Sequence, residues 1–307
     1  MAMLQYAKAL QVYEEENGGT RLELEPQSKE LYLDAGLAMY ESCLEWMADP
    51  RKCGAHPETS PPNDGISSLA VVMCIASMRL EFAEKLKGFG DRYEAKIPLF
   101  MAGIKETIDA IRMHVYETAS GNRILLESVG KQNGPDLSTP PGRLFSPGHS
   151  IEVAWFLIQL AFCANDEDAK IEALDLIEGS LREGWDKSHH GGLFYMMDVL
   201  GRPLVDQAVC ANAKLWWPHT EALIALTLAC AKMKQFDRFM PWLVRVHEFC
   251  YRHFSTNLEW VGYLNSANER TSSAMGGNYK GCFHTPRALL MCVQIVRSNC
   301  PNDVRES

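Results

Sequence analysis

The chain has no apolar run long enough to cross a bilayer, and no basic segment followed by an apolar one at its start. Neither a membrane anchor nor a secretory leader is therefore expected, and the pattern predicts a cytoplasmic protein. It also lacks an excess of positive charge. The net charge of −9 is spread along 307 residues, which argues against nucleic acid or an anionic membrane as partner. No C-x-x-C pair occurs among the ten cysteines, and no H-E-x-x-H or Cys/His cluster among the nine histidines. A disulfide framework is not expected, and neither is a metal site. The stretch Gly276-Gly-Asn-Tyr-Lys-Gly281 lacks the G-x-x-x-x-G-K-[ST] spacing of a phosphate loop and reads as a flexible loop. Cys282, just beyond it, reads as a structural thiol.

What is present is helical periodicity. Runs at Met1–Glu16, Ser28–Met47, Gly65–Leu86, Arg92–Thr118, Ser150–Cys163, Asp166–Glu183, Pro218–Lys232, Gln235–His253 and Pro286–Ser298 are joined by short polar or Gly/Pro-rich links. Strand is scarce. An extended piece is expected at Arg123–Val129, a hairpin at Gly191–Met196 with Pro203–Val205, and a second pair at Glu259–Leu264 with Arg270–Met275. About nine helices in antiparallel pairs, with no fixed-period repeat, predict an all-α protein. Leu69–Ile75 and Ile151–Phe162 are apolar nearly all round, as inner-ring helices are. An (α/α) barrel is thus favoured over an open solenoid. The apolar spacing of Leu69–Leu86 is read as core packing or, failing that, a dimer contact.

Three helix starts carry ionisable groups. In Lys214-Leu-Trp-Trp-Pro-His-Thr-Glu221, Pro218 belongs in a first helical turn, which places His219 and Glu221 in the opening turns. Trp216 and Trp217 offer faces for the C–H side of a sugar ring. The plain alternative is a buried aromatic helix start. In Ser146-Pro-Gly-His149-Ser-Ile-Glu152, the helix begins beside His149, and Glu152 falls on the same face. In Lys280-Gly-Cys-Phe-His284-Thr-Pro-Arg287, Thr285 can cap and Pro286 can fill the first position. Inner helices of a double ring run parallel, so His149, Glu221 and His284 should converge on one cavity, within about 10 Å of one another. Helix dipoles would keep both imidazoles neutral and able to accept protons. Such a set suits proton transfer at carbon.

These three stretches, with Gly-Trp-Asp-Lys-Ser-His-His-Gly-Gly-Leu-Phe-Tyr at 184–195, closely resemble the N-acylglucosamine 2-epimerases, also known as renin-binding proteins. The resemblance runs from the first residues to about Val296. It implies an (α/α)6 barrel, a single domain over 1–307, and interconversion of N-acetylglucosamine with N-acetylmannosamine. It makes His149 and His284 the two proton-transfer bases and Glu221 the active-site glutamate. Glu152 would bond the sugar, Trp216 and Trp217 would stack on it, and His219 would join the substrate-binding group. Arg143, in the loop ahead of His149, would reach sugar oxygens. The resemblance implies no required cofactor, ATP as an activator, a homodimer, and a renin-like protein as a further partner. It also implies twelve helices, of which this chain would supply about nine, starting inside the fourth. A family arginine that contacts the sugar has no match here. An N-terminally truncated barrel, with apolar surface exposed at the gap and turnover below detection, is therefore expected. A truncated relative that binds a protein partner or dimerises is the alternative.

Overall fold

The structure, a computed structural model, describes residues 2–19, 28–48, 65–204, 212–272, 274–277, 279–281 and 283–299. Cys282 and Val205 lie outside the described residues. Contacts divide the chain into two compact units, one of Met1–Ile66 and Cys74–Thr107, the other of Ser67–Met73 and Ile108–Ser307. Among the described residues there are nine helices of ten residues or more and two shorter ones.

In the first unit, α1 (Ala2–Glu16) packs on α2 (Lys29–Ala48). Ala7, Leu33, Leu37 and Tyr40 from these helices meet Phe82 and Leu86, near the end of α3 (Leu69–Lys85). Phe82 stacks on Phe100 with centroids 5.0 Å apart and planes at 6°, and Tyr40 leans on both rings. Rings in such contact add to the area they bury. The single long helix expected over Arg92–Thr118 is instead broken into α4 (Asp91–Glu94), α5 (Ile97–Ala102) and α6 (Ile104–Met113). Pro98 opens α5, where its missing N–H costs nothing, and Gly103 closes it. Beyond α6 the chain is extended: Val115–Glu117 pairs antiparallel with Arg123–Leu125. The run expected from Gly65 likewise starts as a short strand, Ile66–Ser68, before α3 begins.

The second unit is built on α7 (Pro147–Ala164), α8 (Glu167–Gly184), α9 (Trp216–Thr227), α10 (Phe236–His253) and α11 (His284–Asn299). α7 packs against α8 and α9, and α9 against α10 and α11. Every residue of α9 is buried, as are thirteen of the eighteen in α7. Ser146 caps α7 by accepting from the His149 N–H, and Asp166 caps α8 by accepting from that of Ala169. A π-turn, Leu228–Lys232, carries α9 onward. Two ribbons fix the helix starts. Leu144–Phe145, which leads into α7, pairs with Met197–Asp198, and Lys214–Leu215, which leads into α9, pairs with Tyr263–Leu264. Among the described residues the expected local hairpins are replaced by pairings to distant segments, and of the second pair a Leu264–Arg270 bridge is present. Among the described residues no helix is long and apolar enough to cross a membrane.

Candidate active site

The first turns of α7, α9 and α11 meet. Trp217, in the first turn of α9, lies 4.8 Å from the His149 ring and 5.8 Å from that of His284, centroid to centroid. Both imidazoles therefore rest on one indole, and each keeps about a quarter of its side chain exposed. The approach of α7 depends on Gly148. A Cβ there would stand 2.5 Å from Trp217 Cζ3, closer than carbon atoms tolerate.

Each imidazole is held by a carboxylate at Nδ1. His149 Nδ1 is 3.0 and 3.1 Å from the two oxygens of Glu127, and His284 Nδ1 is 2.7 Å from Glu221 Oε1. Glu221 is fully buried on α9 and also accepts from Trp155 Nε1 at 3.0 Å and from Arg287 Nη2. The same Arg287 nitrogen donates to Glu152 Oε1 at 3.1 Å. Two buried carboxylates thus share one guanidinium. Burial, and then repulsion from Glu221, raise the Glu152 carboxyl to about 7, against the pull of Arg287 and His284. Glu152, Glu221 and His284 place ligand atoms within 4.8 Å of one another, as a cation site would. Arg287 already bridges the two carboxylates there, so a metal ion would have to displace it.

Burial disfavours a charged ring at His149, but the hydrogen bond and charge of Glu127, with the charges of Glu152 and Glu221, turn the net shift upward. The downward shift expected from the helix dipole is reversed in sign at this position. A full charge about 3 Å away outweighs the partial charge of a helix end.

Other expected site residues are spent on structure. Arg143 Nε binds Asp198 at 2.8 Å, and its Nη1 donates to the carbonyls of Leu137 and Ser138. It anchors the loop ahead of α7 and is 5% exposed. His219 is fully buried: Nδ1 donates to the Leu215 carbonyl at 2.7 Å, and Nε2 accepts the Leu193 N–H at 2.9 Å. Burial pushes it down to about 3, which fixes it as neutral and leaves neither nitrogen for a substrate. Trp216 is also buried, edge-on to Tyr263 and His284, and only Trp217 touches both histidines. Thr285 does not cap α11, since its buried hydroxyl has no partner among the described residues. Glu127, Trp155 and Arg287 are the residues the sequence reading passed over. Arg287 carried a signal, three residues after His284 and hence on its face. Glu127 carried none.

A family model described as N-acylglucosamine 2-epimerase matches residues 100–287. The mouse N-acylglucosamine 2-epimerase is 32% identical over 270 residues, covering 86% of this chain and 60% of the mouse protein. The human one is 35% identical over 184 residues, 56% of this chain and 40% of the human protein. The chain thus spans about 60% of the length of the mouse relative it matches. A D-mannose isomerase structure superposes with a TM-score of 0.61 at 17% identity, over 97% of this chain and 70% of that one. The cellobiose 2-epimerase from Spirochaeta thermophila gives 0.57 at 17%, over 78% of this chain and 55% of the other. Such likeness shows the fold, which is all-α and of the (α/α)6 barrel class.

Proposed function

Because the chain belongs to the N-acylglucosamine 2-epimerase family, we propose that it inverts C2 of an N-acylhexosamine, interconverting N-acetyl-D-glucosamine and N-acetyl-D-mannosamine. The observation that supports this is the pair of imidazoles set on one indole, each with Nδ1 engaged by a carboxylate. That engagement leaves Nε2 of each ring for the substrate. Epimerisation at a carbon next to a carbonyl needs a base on one face and an acid on the other. In the open-chain sugar one imidazole takes the C2 proton, and the electron pair moves into the C1 carbonyl to give an enolate. The other, as imidazolium, returns a proton to the opposite face of C2.

Arg287 is suited to the enolate oxygen. Its Nε–H is buried and has no acceptor among the described residues, and a positive charge there lowers the energy of the developing anion. Glu152, held near neutrality, is suited to move the proton that ring opening requires between sugar oxygens. Trp217 gives the C–H face of the sugar a surface to lie on.

Deuterium uptake at C2, followed by proton NMR in deuterium oxide, tests the reading. Each imidazole handles the C2 proton of one epimer. His149→Ala should therefore exchange only one of the two sugars, and His284→Ala only the other. Uptake into both sugars at the unsubstituted rate in either variant would remove that histidine from the reaction.

A further inference from the structure

The two imidazoles are not backed alike. Glu221 divides its charge: Oε1 meets His284 Nδ1 and Arg287 Nη2, and Oε2 meets the Trp155 indole. Arg287 Nη2 also lies 3.4 Å from His284 Nδ1, which opposes a second positive charge on that ring. Glu127 divides nothing. Both its oxygens lie on His149 Nδ1, its side chain is 14% exposed, and no lysine or arginine is paired with it among the described residues. Its backbone is fixed on both sides, since its N–H donates to the Leu144 carbonyl and its carbonyl accepts from the Leu69 N–H. The strand that leads into α7 therefore holds the carboxylate against the histidine that α7 carries.

We propose, resting on the reading of His149 as a proton-transfer group, that Glu127 is a positioning residue for the reaction. By accepting the Nδ1–H it selects the tautomer that presents Nε2 to C2. Its undivided charge makes His149 the imidazole that carries a proton between turnovers. The free enzyme is then primed for the epimer whose C2 hydrogen faces His284. The other charges that bear on His149 are Glu152 and Glu221, and both act in the same sense. Arg287 is committed to those two and leaves Glu127 uncompensated.

The test is a nitrogen-15 NMR titration of the histidine side chains in the full chain, with C2 deuterium uptake measured on the same samples. In the unsubstituted protein, His149 should hold its proton on Nδ1 when neutral. In Glu127→Gln the amide oxygen still accepts that proton but the charge is gone, so the His149 midpoint should fall by about one unit or more, a tenfold change in proton affinity. The His284 midpoint should stay in place. Conversion of the epimer that needs protonated His149, read in the same NMR spectra, should drop at least tenfold with KM little changed, while its own C2 deuterium uptake through His284 persists. Glu127→Asp keeps the charge and should restore much of the midpoint, and it serves if the glutamine variant does not fold. An unmoved His149 midpoint in Glu127→Gln, or a neutral ring protonated on Nε2, overturns the proposal. Failure of the epimerase reading is distinguishable, because uptake into both sugars would then persist at the unsubstituted rate in His149→Ala while the titration still decides what Glu127 does.

Discussion

Glu152 lies 3.1 Å from a guanidinium, yet its carboxyl is raised to about 7, because burial and the neighbouring Glu221 outweigh Arg287. This has a thermodynamic sign. Between its ordinary value of 4.5 and about 7, the folded state holds a proton that the unfolded chain has released. Stability must then fall as pH rises through that window, by about 2–3 kcal/mol from this group. His149, also shifted upward, adds a loss in the same direction at higher pH. Urea unfolding at pH 5 and pH 8 should show the decline, and Glu152→Gln should remove the part below about pH 7. A stability that rises across this range would contradict the assignment. At this scale the sequence was informative where chemistry followed a local pattern. His149, Glu152, Glu221 and His284 each sit in or beside the first turn of a helix, and the structure brings them together. Glu127 was illegible, because its place is set by backbone bonds to Leu144 and to Leu69, which lie far from it along the chain. His219 was misread for the converse reason. Nothing local reveals that the Leu193 N–H would occupy its second nitrogen.

Among the elements, the helices were legible and the ribbons were not. A helix makes its hydrogen bonds within itself, so its period and punctuation are written locally. A two-residue strand needs a partner, and here the partners of Leu144–Phe145 and Lys214–Leu215 lie far along the chain. The helix expected over Arg92–Thr118 failed because Pro98 opens a new short helix and Gly103 closes it, so that three short helices replace one. The first turn of α7 offers a sharp test. Gly148→Ala would force its methyl group into Trp217 and Pro218, at 2.5 and 2.9 Å. Overpacking of this kind costs about 1–3 kcal/mol. The variant should lose that much in chemical denaturation, and His149 and Trp217 should move apart, seen as loss of the indole ring-current shift on the histidine. Unchanged stability and shifts would mean that α7 and α9 do not meet as described.

On the scale of the whole molecule, the ten cysteines act as a probe of opening. Cys230 and Cys250 are buried in the second unit, and burial raises both thiols, Cys230 to about 11. Neither should react with iodoacetamide in the native protein at pH 8, and both should label together as urea unfolds that unit, which mass spectrometry can follow. Labelling of Cys250 well below the unfolding midpoint would show the unit to be looser than its burial requires. The contrast between α9 and α10 reaches further. α9 is buried at all twelve positions, whereas α10 buries only Phe239, Val246, Phe249 and Cys250 of its eighteen residues. A saturation map of tolerated substitutions should therefore beat along α10 with the helical period and show no beat along α9. Inherited variation should be filtered in the same way. Lineages of this chain can drift on one side of α10, while in α9 a change at one position must wait for a compensating change in a neighbouring helix.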